Sequence, residues 1–362
     1  MKKKKCAYVL AASQNIIFAA GNVALELNHF MPNEDFDILI YHSELQPNDI
    51  QALQKIKNVI LKDFVMPKGF EEAIMEKMPP GRLKNKNALL TFAHYEIFNL
   101  LEQYKTAIWL DIDTAIQGDI SGLQQYGPLG MAEDKHTCGV FTASVNFVRP
   151  VPRYNMNAKA YCTAVIVVSE ELKNAKEIYD WCWDKSIQYA SYLITPDQGI
   201  IQLALQHFNL PVNTFSWEKY EAFSTMPYAH LAKIAHFGTA QKIWNTSDLY
   251  QSYPQWQRTH LQYLSLGGSD FDRSFLNQNN VITTLRNYEE QIKKATEQPE
   301  KASKIRYYLF GIPVVSFKRQ TNVTCIKILG VRLFSFKQKD NKRYYCFLGI
   351  PLLKIKINQK TI

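Results

Sequence analysis

Apolar positions fall in two kinds of block along the first 130 residues. Short, nearly continuous apolar runs occupy residues 7–12, 36–41, 59–61 and 107–110. Between them, residues 16–29, 47–56 and 89–104 place apolar side chains at helical spacing, the last stretch through Leu89, Leu90, Phe92, Ala93, Ile97, Phe98, Leu100 and Leu101. Strand runs that alternate with helical stripes predict an α/β domain with a largely parallel sheet. Ligands of such sheets bind beyond the carboxyl ends of the strands, and Asp111-Ile112-Asp113 stands at one of those ends. A further apolar run, residues 161–168, predicts a buried strand, with Ser169 as N-cap of a following helix. Thr195-Pro196-Asp197-Gln198 reads as another helix start: Thr195 caps, Pro196 takes the first turn, and Gln198 closes a capping box.

The N-terminal lysines followed by residues 6–12 imitate a signal peptide, but Ser13-Gln14-Asn15 cuts the apolar stretch after seven residues. That length favours a first buried strand over an export signal, and no run approaches the ~20 residues of a membrane-spanning helix. Six scattered cysteines form no Cys-x-x-Cys pair, which points away from a disulfide scaffold or a zinc cluster. The chain therefore reads as cytoplasmic.

The last segment is different. Its glycines Gly311, Gly330 and Gly349 mark three units of 19 residues, each with two β-prone runs around Gly-Ile-Pro or Gly-Val-Arg. Residues 301–362 carry 14 Lys/Arg and one acidic residue, Asp340, whereas the first 300 hold 28 basic and 32 acidic side chains. The positive charge thus belongs to an appendage, which excludes nucleic acid as the main partner and suggests an anionic membrane surface. The domains expected are 1–270 (the α/β domain), 271–304 (a polar helical connector) and 305–362 (basic aromatic β-hairpin repeats). Homo-oligomerisation stays open.

Two carboxylates in i, i+2 relation at a strand exit suit a divalent cation that prefers oxygen ligands. Taken singly, Asp111 and Asp113 are equally consistent with turn chemistry, His236 with a core histidine, Lys242 with a surface lysine and Asp197 with a helix-dipole partner. As an ordered set they resemble a known family. The segment from Trp109 to Leu123, then residues 161–168, Thr195–Gln198 and His236-Phe237-Gly238 with Lys242 and Trp244, is similar to glycosyltransferase family 8 over roughly residues 6–250.

The resemblance implies an α/β, GT-A (Rossmann-like) nucleotide-sugar transferase domain with a small C-terminal β-repeat appendage. It implies a metal-dependent hexosyltransferase that uses a UDP-sugar, with retention of configuration and Mn2+ or Mg2+ as cofactor. Asp111, Asp113 and His236 would bind the metal. Lys242 and the backbone near Gly238 would hold the diphosphate, and Ala11, Ala12, Ser13 and Asn15, with Ile112, would meet the nucleotide. Asp134 would lie near the sugar, Asp197 would bind its hydroxyls and Gln198 would stand beside the anomeric carbon. The acceptor expected is an oligosaccharide or lipid-linked surface glycan, such as lipooligosaccharide or capsule. The alternative is a non-catalytic nucleotide-sugar or glycan-binding protein of the same fold. The sequence departs from the family at Gln14 (usually acidic), His94 (often Arg), Cys162-Thr163-Ala164 (Asn-x-Gly) and Ile243 (Pro), and Gly238 stands one residue early.

Overall fold

The computed structural model describes residues 3–79, 86–134, 146–238 and 241–271, and the backbone of six strands between 303 and 356. The chain divides into two compact units, Met1–Thr284 and Leu285–Ile362. The glycines of the 19-residue repeat and residues 272–302, most of the expected connector, lie outside the described residues.

In the first unit the elements run β1 (Lys4–Ser13), α1 (Ile17–Phe30), β2 (Asp37–Ser43), α2 (Pro47–Gln54), β3 (Val59–Asp63), α3 (Phe70–Lys77), α4 (Glu96–Asn99), β4 (Tyr104–Leu110), β5 (Thr114–Ile116) and β6 (Leu129–Glu133). They continue with β7 (Tyr161–Ser169), α5 (Ala175–Tyr189), α6 (Pro196–His207), β8 (Asn213–Thr214), α7 (Trp217–Tyr220), β9 (Ala222–Phe223), β10 (Ile234–His236), α8 (Ser247–Ser252) and α9 (Pro254–Ser265). Seven strands form one sheet in the order β3-β2-β1-β4-β7-β6-β8, and β5-β10-β9 form a small second sheet. Six of the seven strands of the main sheet run in one direction, as expected of a largely parallel sheet, and only β7 is reversed. Strands β3, β2, β1 and β4 are parallel, whereas β7 runs antiparallel to both β4 and β6.

Strand side chains alternate between two cores. Cys6, Tyr8, Leu10 and Ala12 of β1 enter the core shared with α1 and α9, while Ala7 and Val9 enter the one shared with α5 and α6. A strand apolar on both faces needs helices on both, which is why residues 7–12 read as a continuous run. The chain leaves β1 towards β2 and β3 and returns on its other side as β4. That reversal splays the connections apart and opens a crevice at the carboxyl ends of β1 and β4.

Three local expectations are corrected. Residues 89–104 are not one α-helix: a 3-10 segment Lys86–Tyr95 leads into four residues of α4, then a 3-10 turn Leu100–Glu102, and β4 already begins at Tyr104. Leu89, Phe92, Tyr95, Phe98 and Leu101 are all buried and three apart, a spacing that aligns in 3-10 geometry and drifts in an α-helix. Ser169 caps no helix. Its N–H donates to Pro128 O and the N–H of Glu170 donates to Lys105 O, so the chain is still tied to the sheet and α5 starts after Asn174. The capping box at α6 is also absent: Thr195 makes no side-chain cap bond, and its hydroxyl donates instead to Asn146 Oδ1 at 3.0 Å.

The second unit is an antiparallel meander of β11 (Ser303–Leu309), β12 (Ile312–Gln320), β13 (Val323–Ile328), β14 (Val331–Lys339), β15 (Lys342–Phe347) and β16 (Ile350–Lys356). Directly paired residues share a face, and alternate residues along a strand change face. One register row, Ile305-Phe317-Ile326-Phe334-Phe347-Ile350, is apolar on all six strands. The rows of the other face are Lys304-Lys318-Cys325-Ser335-Cys346, Arg306-Ser316-Lys327-Arg332, Gln320-Val323-Lys337-Tyr344-Lys354 and Lys339-Lys342-Lys356.

Candidate active site

The Asp111–Asp113 segment turns out of β4 under local control. The Thr114 hydroxyl donates to Asp111 O at 2.7 Å, closing the turn so that both carboxylates leave it on one side. Asp111 N–H donates to Ala164 O at 2.8 Å, which fixes the turn against β7, and Trp109 Nε1 donates to Asp111 Oδ1 at 2.7 Å. His236 arrives from a distant part of the sequence because β10 pairs antiparallel with β5, setting it opposite Thr114, and Phe237 N–H donates to Asp113 O at 2.8 Å. One ligand atom each from Asp111, Asp113 and His236 then lies within 4.8 Å of the others. The three groups expected to meet do meet.

Two oxygens and one imidazole nitrogen are the donor set of Mn2+ or Mg2+ rather than of a thiophilic ion. Gly238 keeps the approach to that nitrogen open: a Cβ there would fall 2.9 Å from His236 Nε2 and 2.7 Å from Cε1. The residues present therefore fit a divalent cation.

The charges are strongly coupled. Burial opposes ionisation of Asp113, but the His236 imidazole 3.5 Å away and the Lys242 ammonium bonded to it outweigh burial and hold its pKa near about 2. Burial disfavours a charged His236, yet Asp113 raises its pKa. Lys242 also donates to Phe237 O at 2.9 Å.

Beside this cluster opens a cleft of about 410 Å³. Ala11, Ala12 and Ser13 at the end of β1, Asp111, Ile112 and Asp113, Asp197 and Gln198 at the start of α6, and Lys242 all line it. His236 lies buried behind Asp113. Of the other sequence candidates, Asn15 is exposed and accepts from the Ser13 hydroxyl. Asp134 follows β6 with its N–H bonded to Ala160 O at 2.9 Å. Gly238 touches the cluster through His236. None of these three is part of the cleft wall. Gln14 turns away from the cleft and donates to Asp49 Oδ2 at 2.7 Å, bracing α2.

Two residues carry more than sequence reasoning assigned to them. His94 is buried and set between the two ends of the cleft, with Nε2 3.3 Å from Asp111 and Nδ1 3.3 Å from Asp197. Its ring lies against Trp109, centroids 3.8 Å apart and planes tilted by 32°. Burial lowers its pKa, but the Asp197 and Asp111 charges raise it overall. The second is Glu221, fully buried behind His236, with Oε1 4.0 Å from Nδ1. The Cys162 thiol is a hydrogen-bonding neighbour of this carboxylate, His236 Nδ1 has no hydrogen-bond partner, and the three groups each bring one ligand atom within 4.8 Å of the others. Burial raises the Glu221 pKa to about 8 against the pull of His236. Sequence alone offered one hint of either residue, the place of His94 where the family often has Arg; Glu221, between Tyr220 and Ala222, gave none.

The chain matches the family model described as "Glycosyl transferase family 8" over residues 7–248. No curated protein matches it. Among solved structures it is similar to the apo form of WbbM, a bifunctional glycosyltransferase, with 14% identity, 74% of this chain covered and TM-score 0.53. The match spans 52% of that protein, about half its length. An active-site mutant of LgtC shares 13% identity over 71% of this chain and 95% of the other, at TM-score 0.52. GlyE of Streptococcus pneumoniae TIGR4 in its apo form shares 14% identity over 75% and 66% of the two chains, at TM-score 0.47. At such identities the likeness to WbbM and LgtC speaks for the mixed α/β, GT-A-like fold. The family match covers most of the chain, and the protein belongs to glycosyltransferase family 8 and is a glycosyltransferase.

Proposed function

We propose that this family 8 member is a metal-dependent hexosyltransferase that moves a sugar from a UDP-sugar to a lipid-linked surface-glycan acceptor at the inner face of the cytoplasmic membrane. The observation that carries this reading is the convergence of Asp111, Asp113 and His236 within 4.8 Å beside a cleft whose far wall is Asp197 and Gln198.

Breaking the sugar–phosphate bond leaves a nucleoside diphosphate whose terminal oxygens gain negative charge. A divalent ion held by Asp111, Asp113 and His236 supplies Lewis-acid stabilisation of that charge when bound. Lys242, held on Asp113 and on Phe237 O, places a fixed ammonium beside the same oxygens. The end of β1 presents backbone and small side chains, Ala11 and Ala12, which leave room for a flat nucleoside.

On the other side, Asp197 hydrogen-bonds sugar hydroxyls and is itself held by Thr91, whose hydroxyl donates to its Oδ1 at 2.5 Å. Gln198 accepts from Thr163 at 3.2 Å, which fixes its amide orientation towards the anomeric region. Retention is what the resemblance to the family implies, and the amide of Gln198 is a poor nucleophile. The acceptor oxygen would therefore bond to the anomeric carbon on the face the diphosphate leaves, as the sugar–phosphate bond breaks and the hydroxyl proton passes to a departing phosphate oxygen. His94, its Nδ1 bonded to Thr91 O at 2.7 Å, stands as a charged ring between Asp111 and Asp197 and so holds the phosphate end and the sugar end at a constant separation.

The test is UDP release from UDP-glucose, UDP-galactose and their N-acetyl forms, with and without Mn2+. Metal-dependent release from one of them is the expected result. Absence of metal-dependent release from every donor overturns the proposal.

A further inference from the structure

Ten of the twelve Lys/Arg in the six C-terminal strands occupy register positions of one face, and the strands contain no acidic residue. The opposite face has only Arg319 and Arg343 among its charged positions. On the basic face, like charges stand directly opposite each other across neighbouring strands: Lys304 with Lys318, Lys327 with Arg332, and Lys339 with Lys342, which in turn faces Lys356. Directly opposed like charges destabilise a sheet, and a surface that serves only solubility intersperses both signs. This pattern favours the folded sheet where anions lie along it.

We propose that the basic face of the C-terminal sheet docks on an anionic lipid bilayer. Six strands about 4.8 Å apart make a face roughly 25 Å wide, broad enough to meet several anionic headgroups of a membrane surface at once. A wrapped polyanion such as nucleic acid fits less well, because the first 300 residues carry 32 acidic against 28 basic side chains and would repel it. The lipid contact gives a lipid-linked acceptor a surface on which to meet the enzyme, and in that respect rests on the function proposed above.

Neighbouring residues supply a matched test, because Lys318 and Arg319, and likewise Lys342 and Arg343, fall on opposite faces. Full-length protein is floated with phosphatidylcholine vesicles with and without one quarter phosphatidylglycerol, at low and at high salt. Lys318→Gln/Lys342→Gln is compared with Arg319→Gln/Arg343→Gln; both remove two charges. Binding is expected only to the anionic vesicles, to weaken at high salt, and to fall about tenfold or more in the lysine pair with little change in the arginine pair. Equal loss in both pairs, equal binding to neutral vesicles, or tighter retention on duplex DNA than on anionic vesicles would each overturn the proposal. UDP release in the absence of lipid is expected to be the same in both variants and in the parent. Loss of that activity in the parent would count against the transferase reading and leave the lipid result to be judged separately.

Discussion

Glu26 and Glu221 are a natural pair for comparison. Both are fully buried, both sit against the same core, and burial raises both pKa values to about 8. Their surroundings differ in one respect. Glu26, on α1, accepts the Ile116 N–H at 2.8 Å and faces the Thr259 hydroxyl of α9, so it ties the small sheet and α9 to the first helix. Glu221 has the weakly donating Cys162 thiol as a hydrogen-bonding neighbour and faces the unbonded Nδ1 of a metal-ligand candidate. A buried acid with strong bonds made is scaffold; one left with a weak thiol donor beside an unbonded imidazole nitrogen marks where stability yields to function.

The largest expected effect lies at the cluster Glu221 backs. Asp113→Asn keeps the shape but removes the charge shared by His236 and Lys242. Metal-dependent UDP release is expected to fall on the order of 1,000-fold, with the far-ultraviolet circular dichroism unchanged. Residual activity within tenfold of the parent would refute the assignment of Asp113 as ligand. Glu221→Ala comes next. An acid behind a ligating histidine orients it, so the Mn2+ requirement is expected to rise about tenfold, read by titration calorimetry and by the Mn2+ dependence of turnover. If the Mn2+ requirement stays constant and only the melting temperature drops, Glu221 is scaffold like Glu26 and the contrast disappears. His94→Ala is expected to lower kcat about tenfold, because the two ends of the cleft lose their link. Its Mn2+ requirement should move less than that of Glu221→Ala, since Trp109 still holds Asp111. A larger metal shift in His94→Ala than in Glu221→Ala would reverse the roles given to the two residues.

The same contrast explains what was legible in the sequence. Apolar blocks located β1, β2, β4 and β7, because strands buried on both faces announce themselves as continuous runs. The candidate ligands Asp111, Asp113 and His236 were legible through their order along the chain, which resembles that of family 8. Strand direction was not: an apolar run such as residues 161–168 has the same composition whether it runs parallel or antiparallel. The 3-10 course of Lys86–Tyr95 was hidden because its apolar residues satisfy spacings of three and four alike. Caps were over-read at Ser169 and Thr195, where hydroxyls favoured tertiary partners or the sheet. Glu26 and Glu221 were invisible for a plainer reason: a glutamate in a sequence is read as solvated, and only the packed chain shows it to be enclosed.

Glu26 carries the smallest prediction, and it concerns stability alone. Its pKa is raised from 4.5 to about 8 on folding, so between those values the folded chain holds a proton that the unfolded chain has released. Stability must therefore fall as pH rises through this window, by about 1 kcal/mol per pH unit from this group. Below pH 4.5 both states are protonated and the contribution vanishes. Glu26→Gln replaces the neutral acid by an amide that keeps an oxygen for the Ile116 N–H and cannot ionise. The variant should match the parent in melting temperature near pH 4.5 and exceed it increasingly towards pH 8, with metal-dependent turnover unchanged. A melting-temperature difference that stays constant from pH 4.5 to 8 would mean that Glu26 is not a proton-holding scaffold acid, and that enclosure alone does not set it apart from Glu221.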